Sequence, residues 1–317
     1  LRAGAYTLAV FPSRIGDVKP TTLGRIHAVP TLESRQTMNV VPELASEVKS
    51  NVSAALAEDV GSGDLTAALV PARQQAHARI ITREDAVLCG CQWLEEVFRQ
   101  LDAGVRVTWH ATDGARLHAG DMICELRGPA RSLLTGERTA LNFLQLLSGV
   151  ATKTRRYVDA VAGTRAKILD TRKTLPGLRR ALKYAVRIGG GVNHRMGLYD
   201  AVLIKENHVA AAGGIPQALA AARAVAPGVQ IQIEVETIAD LELAIRSGAN
   251  LILLDNFDLA GLAEAVKVSH GRAELEASGG ITLDNLGEVA QTGVDRISIG
   301  ALTKDIKAID LSMRFVA

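Results

Sequence analysis

Aromatic residues are scarce in this chain of 317 residues, at 3%. With so few rings, stacking on nucleic-acid bases has little to work with. The formal net charge is only +2, so no global field draws in nucleic acid or an anionic membrane. No apolar run approaches the roughly 20 residues of a membrane helix. There are three cysteines, Cys89, Cys91 and Cys124, an odd set without zinc-type spacing. They read as reduced thiols of a cytoplasmic protein. The dinucleotide fingerprint Gly-x-Gly-x-x-Gly after a first strand is also missing, which argues against an open nucleotide-binding sheet.

Residues 1–37 carry no persistent period and are interrupted by Pro12, Pro20 and Pro30. They are expected to be a poorly ordered extension, with Met38 as a natural start. They lack the order of a secretory signal, although five Lys/Arg against two acids keep a targeting leader open. From Val41 to Val60 the apolar spacing is helical. Residues 76–128 alternate in short runs such as His77–Ile81 and Val105–Trp109, around a helix-like piece from Trp93 to Leu101. This predicts a small α+β domain built on an antiparallel sheet. A long helical region follows from about Ser132 to Val161. Beyond Ala166, short apolar runs alternate with helical stretches at Ala218–Val225, Ile238–Ser247, Leu259–Val268 and Leu283–Thr292. That alternation implies parallel strands with right-handed crossovers. A full eight-unit barrel takes about 250 residues, so the six strands here predict an incomplete barrel.

Those six strands supply the chemistry. Each apolar run stops abruptly at polar or glycine residues. Ile168-Leu169 ends in Asp170-Thr171-Arg172-Lys173, and Val202-Leu203-Ile204 in Lys205-Glu206-Asn207-His208. Ile231 and Ile233 lead to Glu234 and Glu236, and Leu251–Leu254 leads to Asp255-Asn256. Leu275 precedes Ser278-Gly279-Gly280, and Ile297 and Ile299 precede Gly300. Charges at successive strand ends converge on one mouth, the usual place of a barrel active site.

Residues 165–208 hold ten Lys/Arg against Asp170, Asp200 and Glu206. Arg172, Lys173 and Lys205, at strand ends, read as a pocket for polyanionic small molecules. Arg179, Arg180, Lys183 and Arg187 read as a solvated helix face. His194 and Arg195, after Gly189-Gly190-Gly191, either present adjacent donors to a carboxylate or belong to a plain surface turn. Glu234 and Glu236 are expected on one strand face. With Asp255 they suit Mg²⁺ held partly through water and substrate phosphate, or they pair with the nearby cations. The turns at Ser278-Gly279-Gly280 and Gly300-Ala301 can cradle a phosphate on backbone N–H groups. Arg138 alone reads as a surface residue. Lys205 after an apolar strand also allows a Schiff-base amine.

Long blocks of the chain resemble the quinolinate phosphoribosyltransferases of the bacterial type, also called nicotinate-nucleotide pyrophosphorylases (carboxylating). They are Glu137–Gln145, Asp170–Leu178, Lys183–Val186, Gly189–Arg195, Lys205–His208, Leu254–Asn256, Ser278–Gly280 and Gly300–Lys304. The resemblance spans about residues 40–317. It implies an N-terminal open-faced α/β sandwich with an antiparallel sheet (38–148, including the start of the bridging helix). It also implies a C-terminal incomplete α/β barrel of parallel strands (149–305) and a tail (306–317) packing back on the first domain. It implies a homodimer in which Arg138 reaches the partner's active site. The implied substrates are quinolinate and phosphoribosyl pyrophosphate, the metal is Mg²⁺, and the products are nicotinate mononucleotide, pyrophosphate and CO₂. The implied quinolinate ligands are Arg138, Arg172, Lys173, His194, Arg195 and Lys205. For the donor they are Lys173, Lys205, Glu234, Asp255, Ser278, Gly279, Gly280, Gly300 and Ala301. Lys173, Lys205, Glu234 and Asp255 are the implied catalytic group, with Glu234 and Asp255 near the metal, directly or through water. Neither nucleic acid nor membrane is an expected partner.

Overall fold

The computed structural model describes residues 44–316; the expectations for residues 1–37 lie outside them. The first part of the fold comprises α1 (Ala45–Val60), β1 (Gln75–Thr82), β2 (Ala86–Val87), α2 (Cys91–Leu101), β3 (Arg106–Trp109), β4 (Arg116–Leu117) and β5 (Met122–Pro129). Its main sheet is antiparallel, in the order β12-β1-β5-β3, where β12 (Leu311–Phe315) is the last strand of the chain. Ala78, Ile80, Ile123 and Leu126 of this sheet are fully buried. In α2, Trp93, Leu94, Val97 and Phe98 are buried at helical spacing, so one side of the helix packs inward.

The helix α3 (Ala130–Ala160) is 31 residues long, about 46 Å at 1.5 Å per residue. It packs against α2, β1 and β5 near its start and against β6 (Lys167–Leu169) and α4 (Arg179–Ile188) further on. Gly149 shows how closely the chain approaches it. A Cβ there would lie 2.2 Å from the carbonyl oxygen of Lys307, so only glycine lets the 307–308 backbone cross the helix.

The second part alternates strand and helix: β7 (Val202–Ile204), α5 (Glu206–Ala212), α6 (Ile215–Val225), β8 (Ile231–Val235), α7 (Ile238–Arg246), β9 (Leu251–Asp255), α8 (Leu259–Ser269), β10 (Glu274–Ser278), α9 (Leu286–Gln291), β11 (Arg296–Ser298) and α10 (Ala301–Lys304). All six strands are parallel, in the order β6-β11-β10-β9-β8-β7. β6 and β7 are the edges and do not pair, so the barrel stays open between them. On the free side of β6, Val192 forms a parallel bridge with Leu169, which brings the 191–201 loop up to the gap.

Two local expectations change. The helix predicted over Leu283–Thr292 begins at Leu286, because residues 280–285 form a turn in which the Asn285 side chain accepts from the Thr282 N–H (2.8 Å) and donates to the Gly280 carbonyl (3.2 Å). β8 stops at Val235, so Glu236 does not share a strand face with Glu234; it is exposed in the bend that follows.

Candidate active site

Parallel strands deliver the ends of β6 to β11 to one face, and the residues after them meet there. The floor is a buried ion pair. Lys183 of α4 and Asp170, just after β6, are both 0% exposed and directly bonded. Lys183 Nζ also donates to the His194 carbonyl (2.9 Å). Asp170 accepts from the His194 backbone N–H (2.8 Å) and from Asn193 Nδ2 (2.6 Å). Burial pushes the Asp170 carboxyl up and the Lys183 ammonium down, each opposed by the charge of the other. The solvated-face reading of Lys183 is therefore wrong. Residues 181–186 of α4 are all buried, and this lysine ties the 193–195 loop to β6. Arg179 is half-buried, donating to Thr174 Oγ1 (3.2 Å) and the Met196 carbonyl (3.3 Å); Arg180 and Arg187 are exposed.

Above this floor stand two guanidinium groups. Arg172 is half-buried, and its Nε is shut off from solvent with no hydrogen-bond partner. Arg195 is half-buried and donates through Nη1 to the Ala201 carbonyl (3.2 Å). Burial, and then the charge of Arg172, pulls the Arg195 guanidinium below its usual value; Asp200 offsets part of this. Two like charges held together with an unspent donor make a site that an anion completes. Asp200 itself closes the loop by accepting from the backbone N–H groups of Met196 (2.6 Å) and Gly197 (2.9 Å).

Lys173 is exposed. Its carbonyl accepts from Thr303 Oγ1 (2.8 Å), and its Cδ passes 3.2 Å from where a Cβ on Gly300 would stand. The β6 and β11 ends, and with them Lys173, Gly300 and Ala301, are thus adjacent. Lys205 Nζ bonds both oxygens of Glu234, at 2.6 and 2.9 Å. An amine held by a carboxylate in this way is not the desolvated nucleophile that a Schiff-base mechanism needs.

Asp255 and Ser278 are paired neighbours at the ends of β9 and β10. Asp255 accepts from Asn256 Nδ2 (3.0 Å) through one oxygen. Gly279 has a φ of +95°, and a Cβ there would meet Asn256 Oδ1 at 2.1 Å, so this turn requires glycine. Among the described residues no cluster of three His, Cys, Asp or Glu could hold a metal. Arg138 is exposed on α3, and among the described residues no hydrogen bond or ion pair joins it to the barrel mouth.

The sequence reading missed two residues. Gln232 (3% exposed) and Glu276 (0% exposed) sit inside the barrel and bond each other, Gln232 Nε2 donating to Glu276 Oε2 at 3.0 Å. Gln232 Oε1 lies 2.8 Å from His194 Nε2. Each is a lone polar residue inside an apolar strand, Ile231-Gln232-Ile233 and Leu275-Glu276-Ala277, which was the available signal.

Residues 64–148 match the family description "Quinolinate phosphoribosyl transferase, N-terminal domain" and residues 150–314 the corresponding C-terminal domain. The chain is 46% identical over 257 residues to the probable nicotinate-nucleotide pyrophosphorylase (carboxylating) of Bacillus subtilis strain 168, covering 81% of this chain and 89% of that one. It is 47% identical over 268 residues to the nicotinate-nucleotide pyrophosphorylase (carboxylating) of Mycobacterium leprae, covering 82% and 94%. Its fold matches the solved structure of the nicotinate-nucleotide pyrophosphorylase of Francisella tularensis with a TM-score of 0.85 at 46% identity, over 88% of this chain and 98% of that one. With both domains matched and the open parallel barrel in place, this chain belongs to the quinolinate phosphoribosyltransferase family.

Proposed function

We propose that the protein transfers a phosphoribosyl group from phosphoribosyl pyrophosphate to quinolinate and releases CO₂, giving nicotinate mononucleotide, a step of de novo NAD biosynthesis. The observation that carries this reading is the Arg172–Arg195 pair with its unpartnered buried Nε. Quinolinate brings two adjacent carboxylates, and two guanidinium forks suit them. Arg138 from a second copy, Lys173, His194 and Lys205 complete the acceptor site in this proposal.

The ring nitrogen attacks C1′ of the donor as the bond from C1′ to pyrophosphate breaks, and pyrophosphate leaves with the electron pair. Positive charge grows on the ribose, where Glu234 can stabilise it, and negative charge on the leaving oxygens, where Lys173 and Lys205 can. The product is a pyridinium. The electron pair left when the adjacent carboxylate departs as CO₂ stays on that ring carbon, stabilised by the neighbouring positive ring nitrogen, and a proton then takes that position. The substrate is its own nucleophile and its own electron sink, so positioning supplies much of the rate. Ser278, Gly279, Gly280, Gly300 and Ala301 are the proposed cradle of the donor's 5′-phosphate.

Mg²⁺ is the proposed metal. Among the described residues one oxygen of Asp255 has no hydrogen-bond partner, whereas both oxygens of Glu234 are held by Lys205. That donor set fits an ion that brings its own phosphate and water ligands, and does not fit an all-protein cage. When bound, Mg²⁺ would neutralise charge on the leaving pyrophosphate.

A homodimer in the cytoplasm is proposed as the working form. It is supported by the exposure of Arg138 on α3, by exposed Leu65 and Leu69 (89% and 84%), and by three buried free cysteines, which suit a reducing compartment. Among the described residues no helix is long and apolar enough to cross a membrane.

Titration calorimetry tests the acceptor assignment. Quinolinate is expected to bind more tightly than nicotinate, which has one carboxylate fewer. Equal affinity for the two would rule out a dicarboxylate site.

A further inference from the structure

We propose that Glu276 and Gln232 are positioning residues for the acceptor site: they hold His194 in one tautomer and, through it, the backbone of Arg195. Glu276 is 0% exposed and Gln232 is 3% exposed. A carboxylate accepts hydrogen bonds and does not donate them, so the Gln232 amide must turn its NH₂ toward Glu276, as it does at 3.0 Å. Its oxygen is then the atom that faces His194 Nε2, at 2.8 Å. An acceptor there requires hydrogen on Nε2. The other ring nitrogen, Nδ1, accepts from the backbone N–H of Arg195 at 2.9 Å, which requires a lone pair on it. Both ends of the imidazole therefore demand the same tautomer, protonated at Nε2 and bare at Nδ1.

Both ring nitrogens are bonded within the chain, so His194 contributes to the acceptor site by carrying Arg195. The second oxygen of Glu276, Oε1, has no hydrogen-bond partner and lies 3.5 Å from His194 Nε2, so the carboxylate also attracts the N–H end of the ring directly. From the other side the buried Asp170–Lys183 pair holds the His194 backbone. The loop that presents Arg195 is thus fixed at main chain and ring by separate networks. This inference rests on the reading of Arg195 as an acceptor ligand only for its consequence; the tautomer follows from the geometry alone.

The test uses the full-length protein labelled with ¹⁵N-histidine and free of ligand. His194 is assigned by the signal lost in His194→Gln. In the wild type, Nε2 is expected to be protonated and Nδ1 bare. In Gln232→Met, which keeps volume and removes the relay, the two tautomers are expected to mix. Quinolinate affinity is expected to fall about tenfold, the order of one hydrogen bond, with phosphoribosyl pyrophosphate affinity unchanged. Glu276→Gln keeps an acceptor oxygen but no longer forces the amide direction, so its tautomer mixture and affinity loss should be intermediate. It also supplies the measurement if Gln232→Met does not fold. An unaltered His194 tautomer in these variants overturns the inference. So does a shifted tautomer with unchanged quinolinate affinity, provided Arg195→Ala weakens quinolinate. If Arg195→Ala leaves quinolinate binding intact, the acceptor-site reading fails instead, and the tautomer result alone decides the relay.

Discussion

Arg195 and Arg172 repel one another across a half-buried site, and an anion between them turns that repulsion into attraction. Hydrogen bonds to a charged group contribute about 1.5–3 kcal/mol. Arg195→Ala should therefore weaken quinolinate about ten- to a hundredfold in a binding titration and leave the phosphoribosyl donor nearly unaffected; equal losses for both ligands would remove Arg195 from the acceptor site. Lys183→Met is a different kind of change. It leaves Asp170 buried without its cation, and breaking such a pair costs about 3–5 kcal/mol. Adding Asp170→Leu should recover part of that in urea unfolding, because no lone charge is then left inside. If the double variant is no more stable than the single, the pair is not the floor described here. Arg172, Lys173 and Lys205 were legible in the sequence because each interrupts an apolar run at a strand end. Lys183 was not, because helical spacing says which face a residue occupies and nothing about a carboxylate 13 positions back on another element. Gln232 and Glu276 were legible only as the polar members of otherwise apolar strands.

At the scale of elements, the six parallel strands could be read from alternation, and α2 and α3 from apolar spacing. Strand ends were harder. Glu234 and Glu236 fit one alternating pattern, but β8 ends between them, and hydrogen bonding to the neighbouring strand is not visible in a single segment. Gly149 is the sharpest steric constraint on α3. Gly149→Ala drives a methyl group into the Lys307 carbonyl, a backbone atom that cannot rotate away. The expected loss is about 1–3 kcal/mol, seen as a lower melting temperature together with faster proteolysis of the 306–316 segment. An unchanged melting temperature would mean that this crossing is looser than drawn.

The 191–201 loop should carry a pH signature through Asp200. Burial pushes its carboxyl up, but the backbone N–H groups of Gly197 and Met196 outweigh this and hold it net below its ordinary value. A depressed folded value means that the unfolded chain binds more protons in the window between the two. The stabilisation is thus complete above the ordinary value, about pH 4, and is lost as pH falls through the lower folded value. Asp200→Asn should flatten that acid limb in denaturant titrations, while an identical limb would show that Asp200 contributes nothing to it.

For the whole molecule, the incomplete barrel follows from counting strands against chain length, and the antiparallel sheet from the alternating runs before α3. The pairing of β12 with β1 had no local signal, since a strand at one terminus cannot announce a partner more than two hundred residues earlier. The proposed dimer predicts complementation. Arg138→Ala and Lys205→Ala should each be inactive alone. Mixed after gentle dissociation, half the dimers carry one variant of each kind, and one of their two sites is intact, so activity should return to about a quarter of wild type. No recovery despite exchange of subunits would place Arg138 outside the partner's site.

In the proposed reaction one mouth binds a dicarboxylate and a phosphoribosyl donor, joins them and releases CO₂. The direct measurement incubates the purified protein with quinolinate, phosphoribosyl pyrophosphate and Mg²⁺ and follows nicotinate mononucleotide and CO₂ together. Equal amounts of the two are expected, and no product when nicotinate replaces quinolinate. Donor binding without either product, or turnover of nicotinate in place of quinolinate, would contradict that reaction.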